Sequence, residues 1–257
     1  MVSIFPEQPQ RTQQSQAKGR RAEDVAAWYF RLNGFLSIPG FIVHLDQSNA
    51  RLSRNGTLCH ARTEADLMGV RFINSRERIF ASRDHRDMVD DAKLTQLIIG
   101  PNKQALFILV EVKAGLCNMN GPWTSRESEN MQRVIRRLGF AIDDEHVEQI
   151  ASALYERGRY EDDYYVLQYI CIGAEINRDV NASCPDVVQI NWTEIGNFLI
   201  QRFSSFPEKM PSGHAHEQWP DFGKKFVKWF QTERNSQFQG SISPGAIGRY
   251  VSTGSLS

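Results

Sequence analysis

The chain has 257 residues, enough for one large domain, and its thirty Lys and Arg balance thirty Asp and Glu, so no overall positive field acts on a partner. Hydrophobic residues make up 41% and charged residues 23%, the balance of a folded globular protein. Its longest apolar runs are about six residues against the roughly 20 of a membrane helix, and its four cysteines form no CxxC pair, which excludes a membrane span and a disulfide framework and leads us to expect a cytoplasmic protein.

Residues 1–17 are polar, Gln-rich and without periodicity, and are expected to be disordered. From Lys18 to Asn33 the spacing of Ala22, Val25, Ala26, Tyr29 and Leu32 predicts a helix with one apolar stripe, ended by Asn33-Gly34. Glu23 lies beside that stripe. Two short extended pieces follow over Phe35–Leu45, split at Pro39-Gly40, with His44 near their end. Leu67, Met68, Val70 and Phe72 predict a strand with Asp66 at its mouth, and Glu64 two residues earlier.

Residues 74–104 mix both signs of charge and read as a solvated excursion. Short elements are expected there, a helix near Arg86–Lys93 and a strand or helix near Leu94–Ile99. The run Leu106-Phe-Ile-Leu-Val-Glu111-Val-Lys113 then predicts a buried central strand. Alternation along a strand puts Glu111 and Lys113 on one face and Val112 on the other. A carboxylate and an ammonium at the end of a core strand are costly to hold unless they pair or bind something.

A loop rich in Gly and Asn leads through Trp123 to a helix ending near Leu138, with Ser128 as its expected N-cap. Arg133, Arg136 and Arg137 give that helix a basic strip. Asp143–Arg157 is a second helix, Tyr164–Gly173 a strand rich in aromatic and β-branched residues, Val187–Ile190 a short strand and Trp192–Phe203 a helix. Residues 204–234 form a loop and an amphipathic helix carrying Phe222, Phe226, Trp229 and Phe230, suited either to the core or to a homodimer or other protein partner. Residues 235–257, rich in Gly and Ser, are expected to be a disordered tail.

This order of elements predicts an α/β domain over residues 18–203, with a mixed central sheet flanked by helices. Carboxylates converging at strand ends would make an oxygen-rich pocket, which suits a hard divalent cation such as Mg²⁺ or Mn²⁺.

Asp66 followed by Glu111-Val112-Lys113 on an apolar strand, after a helix carrying Glu23, resembles the PD-(D/E)XK, or restriction-endonuclease-like, nuclease superfamily. The resemblance implies a core of helix, three strands, helix and strand, and hydrolysis of phosphodiester bonds with Mg²⁺. DNA is the expected partner ahead of RNA. By position it assigns metal binding to Asp66, Glu111, Glu23 and the Val112 carbonyl, and assistance of the attacking water to Lys113. Gln132, Arg133 and Arg136 become candidates for substrate contact, and His44 and Trp123 further lining residues. Ala65 stands where the family often has Pro, and the long gap from Asp66 to Glu111 requires an insertion near 74–104. The alternative reading keeps the same fold as an inactive binding or assembly module.

Overall fold

A computed structural model describes residues 9–43, 51–52, 58–59, 63–75, 90–97, 104–124, 126, 129–205, 219–235 and 242–257. The elements, in chain order, are α1 (Pro9–Leu32), β1 (Leu36–Val43), β2 (Arg51–Leu52), β3 (Leu58–Cys59), β4 (Thr63–Phe72), α2 (Ala92–Thr95), β5 (Ala105–Val112), α3 (Gly121–Thr124), α4 (Asn130–Leu138), α5 (Asp144–Arg157), β6 (Arg159–Glu161), β7 (Tyr165–Gly173), α6 (Arg178–Ser183), β8 (Val188–Asn191), α7 (Trp192–Ser205), α8 (Asp221–Asn235) and α9 (Ala246–Thr253). The fold is α/β, as the element order implies. Among the described residues no helix is long and apolar enough to cross a membrane.

Six strands form one mixed sheet, five in the order β1-β4-β5-β7-β6 and the sixth, β8, also paired with β7. β1, β4 and β5 are antiparallel neighbours, and β5 runs parallel to β7. Along its far edge β7 pairs first with β6, antiparallel, and then with β8, parallel. The apolar run in β5 lands at the centre, where both of its faces are covered. Its alternate residues sort accordingly. Leu106, Ile108, Val110 and Val112 enter a core with α1, α7, α8 and α9, whereas Leu109 enters a second core with α4 and α5. Glu111 and Lys113 share the parity of Leu109 and so belong to the α4/α5 face.

Several expectations are corrected. Pro9 opens α1, so the stretch through residue 17 is helical rather than disordered. Proline is tolerated at a first helical position, and Gln, Ala and Arg are adequate helix formers. Residues 13–16 are exposed, so no apolar stripe marks them. The helix ends where expected: Asn33 Nδ2 returns to the Tyr29 carbonyl at 2.9 Å, and Gly34 takes φ 79°. β1 continues through Pro39-Gly40 as one strand, because a proline on an edge strand breaks no ladder that the sheet needs. The helix expected to end near Leu138 is α4, with Glu129 left-handed at φ 51° before it, and the stretch leading into it adds the short helix α3. β6 and α6 were not foreseen, both being too short to show periodicity.

The C-terminal stretch expected to be disordered carries α9, with Ala246, Ile247, Tyr250 and Val251 buried. Four apolar positions in a Gly- and Ser-rich background are lost in the average composition, yet they make a complete helical stripe. Arg21 of α1 holds the end of α9 by donating to the carbonyls of Val251 (3.0 Å) and Ser252 (3.2 Å). The aromatic face of α8 is spent internally: Phe222, Phe226 and Phe230 are buried, and Trp28 meets Phe222 edge to face with ring centroids 5.4 Å apart. Residues 76–89 and 98–103 of the expected insertion, together with His44 and Ser128, lie outside the described residues, as do the side chains of Glu64 and Trp123.

Gly196 of α7 lies against the backbone of Pro244, so that a Cβ there would overlap the Pro244 carbonyl oxygen. Gly196→Ala is therefore expected to lower stability by about 1–3 kcal/mol, the usual cost of overpacking, read as a shift in the urea midpoint. An unchanged midpoint would mean that the 242–256 segment does not dock on α7.

Candidate active site

The β4–β5 ladder runs from Phe72↔Ala105 to Leu67↔Val110 and then stops. Beyond it the next position on β4 is Asp66. Its carboxylate, not the backbone, accepts the Val112 N–H at 2.7 Å. On the other side of β5, Lys113 N–H donates to the Ile172 carbonyl at 2.8 Å. The end of β5 is thus held between an Asp side chain and β7. The chain rotates at this point: Ala65 packs in the α4/α5 core and Leu67 in the α1 core, although strict alternation would put both on one face. Across from Asp66, Gly40 drops out of the β1–β4 register and takes φ 60°. That left-handed geometry is cheap only for glycine.

Glu111 is 2% exposed and forms an ion pair with Lys113, whose side chain is 42% exposed. Asn120, in the loop after β5, hydrogen-bonds the Glu111 carboxylate, and its own N–H donates to the Tyr169 hydroxyl at 3.3 Å. The small void behind Glu111, lined by Ala65, Leu109, Val110 and Tyr169, has no room for a water. Burial raises the Glu111 pKa to about 7, the Asp66 charge adds to the rise, and Lys113 and Asn120 oppose it. Asp66 is also raised, by burial first, against the Val112 N–H and Lys113. Burial works against the Lys113 ammonium, but Glu111 and Asp66 outweigh it and its pKa rises.

The structure therefore brings together Asp66, Glu111 and Lys113, and it leaves Glu23 out. Among the described residues no group of three or more His, Cys, Asp or Glu side chains converges, and Glu23 is not among the charges acting on Asp66 or Glu111. The reason is geometric. α1 covers one face of the sheet, whereas Glu111 and Lys113 point to the other. Gln132 is also withdrawn as a substrate contact. It is buried between two helices, donating to Glu148 (3.1 Å) and accepting from the Tyr155 hydroxyl (3.1 Å). Arg136 is engaged with Asp144 at 3.1 Å, while Arg133 remains partly exposed on α4.

Two acidic side chains, both raised by burial, form a donor set that a hard cation would stabilise. Mg²⁺ commonly takes one or two protein carboxylates and fills its shell with water. Val112 presents its N–H to Asp66, and within one strand residue the C=O projects to the same edge, so its carbonyl faces this opening. Asn120 and Tyr169 were not foreseen, since nothing in their spacing links them to Glu111. No protein-family model, curated protein or solved structure matches this chain.

The raised carboxyl of Glu111 makes a signed prediction. Unfolded, Glu111 titrates near 4.5, and folded near 7. The folded state therefore holds the proton more tightly, and the stabilisation is complete below about 4.5 and lost as pH rises through about 7. In metal-free buffer, urea unfolding should show wild type losing about 1–3 kcal/mol relative to Glu111→Gln between pH 4.5 and 8. A difference that is flat or grows with pH would contradict the burial of a titrating carboxylate.

Proposed function

We propose that the chain is a metal-dependent nuclease of the PD-(D/E)XK kind, hydrolysing phosphodiester bonds in DNA. The observation that carries this reading is the place where β4 and β5 part. Asp66 enters the gap there, and Glu111 and Lys113 lie beside it on one face. Three charged groups are thereby concentrated at the C-terminal end of a buried strand, with Lys113 at the surface where a substrate can reach it.

The roles follow from the charges. Asp66 and Glu111 would hold Mg²⁺, with the Val112 carbonyl available as a third oxygen. When bound, such an ion supplies Lewis-acid charge beside the phosphate and lowers the pKa of a bound water. Lys113 stays an ammonium because Glu111 and Asp66 favour its charged form. It therefore donates hydrogen bonds and offsets the negative charge that builds on the phosphorus oxygens, rather than removing a proton. Asn120, itself tied to Tyr169, keeps the Glu111 carboxylate in one orientation.

A second reading, an inactive module of the same architecture, draws on one specific observation. Glu111 is satisfied by Lys113 and Asn120 within the protein, and no third acidic side chain joins it among the described residues.

Cleavage assays separate the two. With Mg²⁺ or Mn²⁺ the wild type should cut plasmid or linear DNA. Lys113→Ala should lower the rate by about 10²–10³-fold, the usual effect of removing one charge-stabilising donor. Asp66→Asn and Glu111→Gln should be at least as impaired. If none of a panel of duplex, single-stranded and RNA substrates is cut, the nuclease reading fails and the module reading stands; if Lys113→Ala cuts like wild type, catalysis does not run through this site and both readings of it fail.

A further inference from the structure

The basic strip on α4 is not uniform once its neighbours are known. Arg136 is bonded to Asp144. Arg137, one residue on, makes no ion pair among the described residues, and its guanidinium lies over the Phe41 ring, 5.1 Å from the centroid. Phe41 belongs to β1, where it pairs with Ala65, the residue before Asp66. Neighbouring strands are about 4.8 Å apart, so this cation–ring pair stands immediately beside the opening at Asp66. It is on the correct side as well. Phe41 packs against the α4/α5 core, the face to which Glu111 and Lys113 point.

A guanidinium attracted to the face of an aromatic ring is restrained there, and the ring, having no acceptor atoms, leaves its N–H groups available to other partners. Those N–H groups match the oxygens of a phosphate, to which arginine can donate two parallel hydrogen bonds. A free arginine side chain loses considerable rotamer entropy when it grips an anion, and the ring removes part of that cost in advance. The net charge of the chain is zero, so affinity for a polyanion must come from such local positions.

We propose that Arg137, carried on Phe41, grips the backbone phosphate next to the scissile one, which a cation on Asp66 and Glu111 would face. It would be a positioning residue for a nucleic-acid strand. This inference rests on the nuclease reading above, and Arg137 takes the substrate-contact role for which Arg136 is not free.

The test is binding without turnover. Fluorescence anisotropy in EDTA would follow a labelled short DNA duplex and a single strand over a range of salt concentrations. Arg137→Ala should weaken binding about tenfold and lower the slope of log affinity against log salt by about one. Arg137→Lys should recover part of the affinity, keeping the charge but losing the guanidinium fork. Phe41→Leu should fall between wild type and Arg137→Ala, and Arg136→Ala should stay within about twofold of wild type. Circular dichroism melts check that each variant folds. Wild-type affinity and slope in Arg137→Ala, or equal losses in Arg136→Ala and Arg137→Ala, overturn the assignment. If DNA is still cut with metal in that case, only Arg137 is reassigned. If the wild type neither binds nor cuts any nucleic acid, the nuclease reading falls with it.

Discussion

One hydrogen bond organises this molecule's candidate chemistry: the Asp66 carboxylate accepting the Val112 N–H. A strand ladder could have continued there, backbone to backbone. Instead a side chain takes over the last donor, and β4 turns away from β5. A buried N–H must find a partner, so the substitution is stable, and it leaves a charged group where a sheet normally has none. Glu111 and Lys113 then have somewhere to point. Glu111 itself stays 2% exposed against Leu109 and Tyr169, and Lys113 carries the charge of the pair out to solvent.

The rest of the fold serves to hold that opening rigidly. β5 is packed on both faces, so its end cannot drift. β7 lies parallel to it and supplies Tyr169, which steadies Asn120 and through it Glu111. Gly40 permits the matching distortion in β1. On the far side α1, α7, α8 and α9 form one aromatic-rich core. Arg21 joins the first helix to the last and so closes that layer. The electrostatic consequence is local: two carboxylates share one ammonium, all three raised in pKa. Such a cluster is a poor source of stability, and its excess negative charge is what a cation would neutralise.

Much of this was legible from residue order. The five-residue apolar run into Glu111-Val-Lys113 marked the central strand, and β-branched and aromatic content marked its parallel neighbour. The juxtaposition of Asp66, Glu111 and Lys113 followed from strand alternation and the resemblance together. What was not legible concerns sides and partners. Spacing shows that Glu23 adjoins an apolar stripe, but not that its helix covers the face opposite Glu111. It shows that Gln132 is polar, but not that Glu148 and Tyr155 claim it. Arg136 and Arg137 are indistinguishable in a string, and only the fold gives one to Asp144 and the other to Phe41. Composition misled at both ends, where average polarity hid the first turns of α1 and the short stripe of α9.

The central claim is that Asp66 and Glu111 act together as a cation site. Calorimetric titration of Mn²⁺ into the wild-type protein, Asp66→Asn and Glu111→Gln tests it without any substrate. The account predicts saturable binding by the wild type and a loss of at least tenfold in affinity in each variant. Equal binding by all three proteins, or none by the wild type, would contradict it.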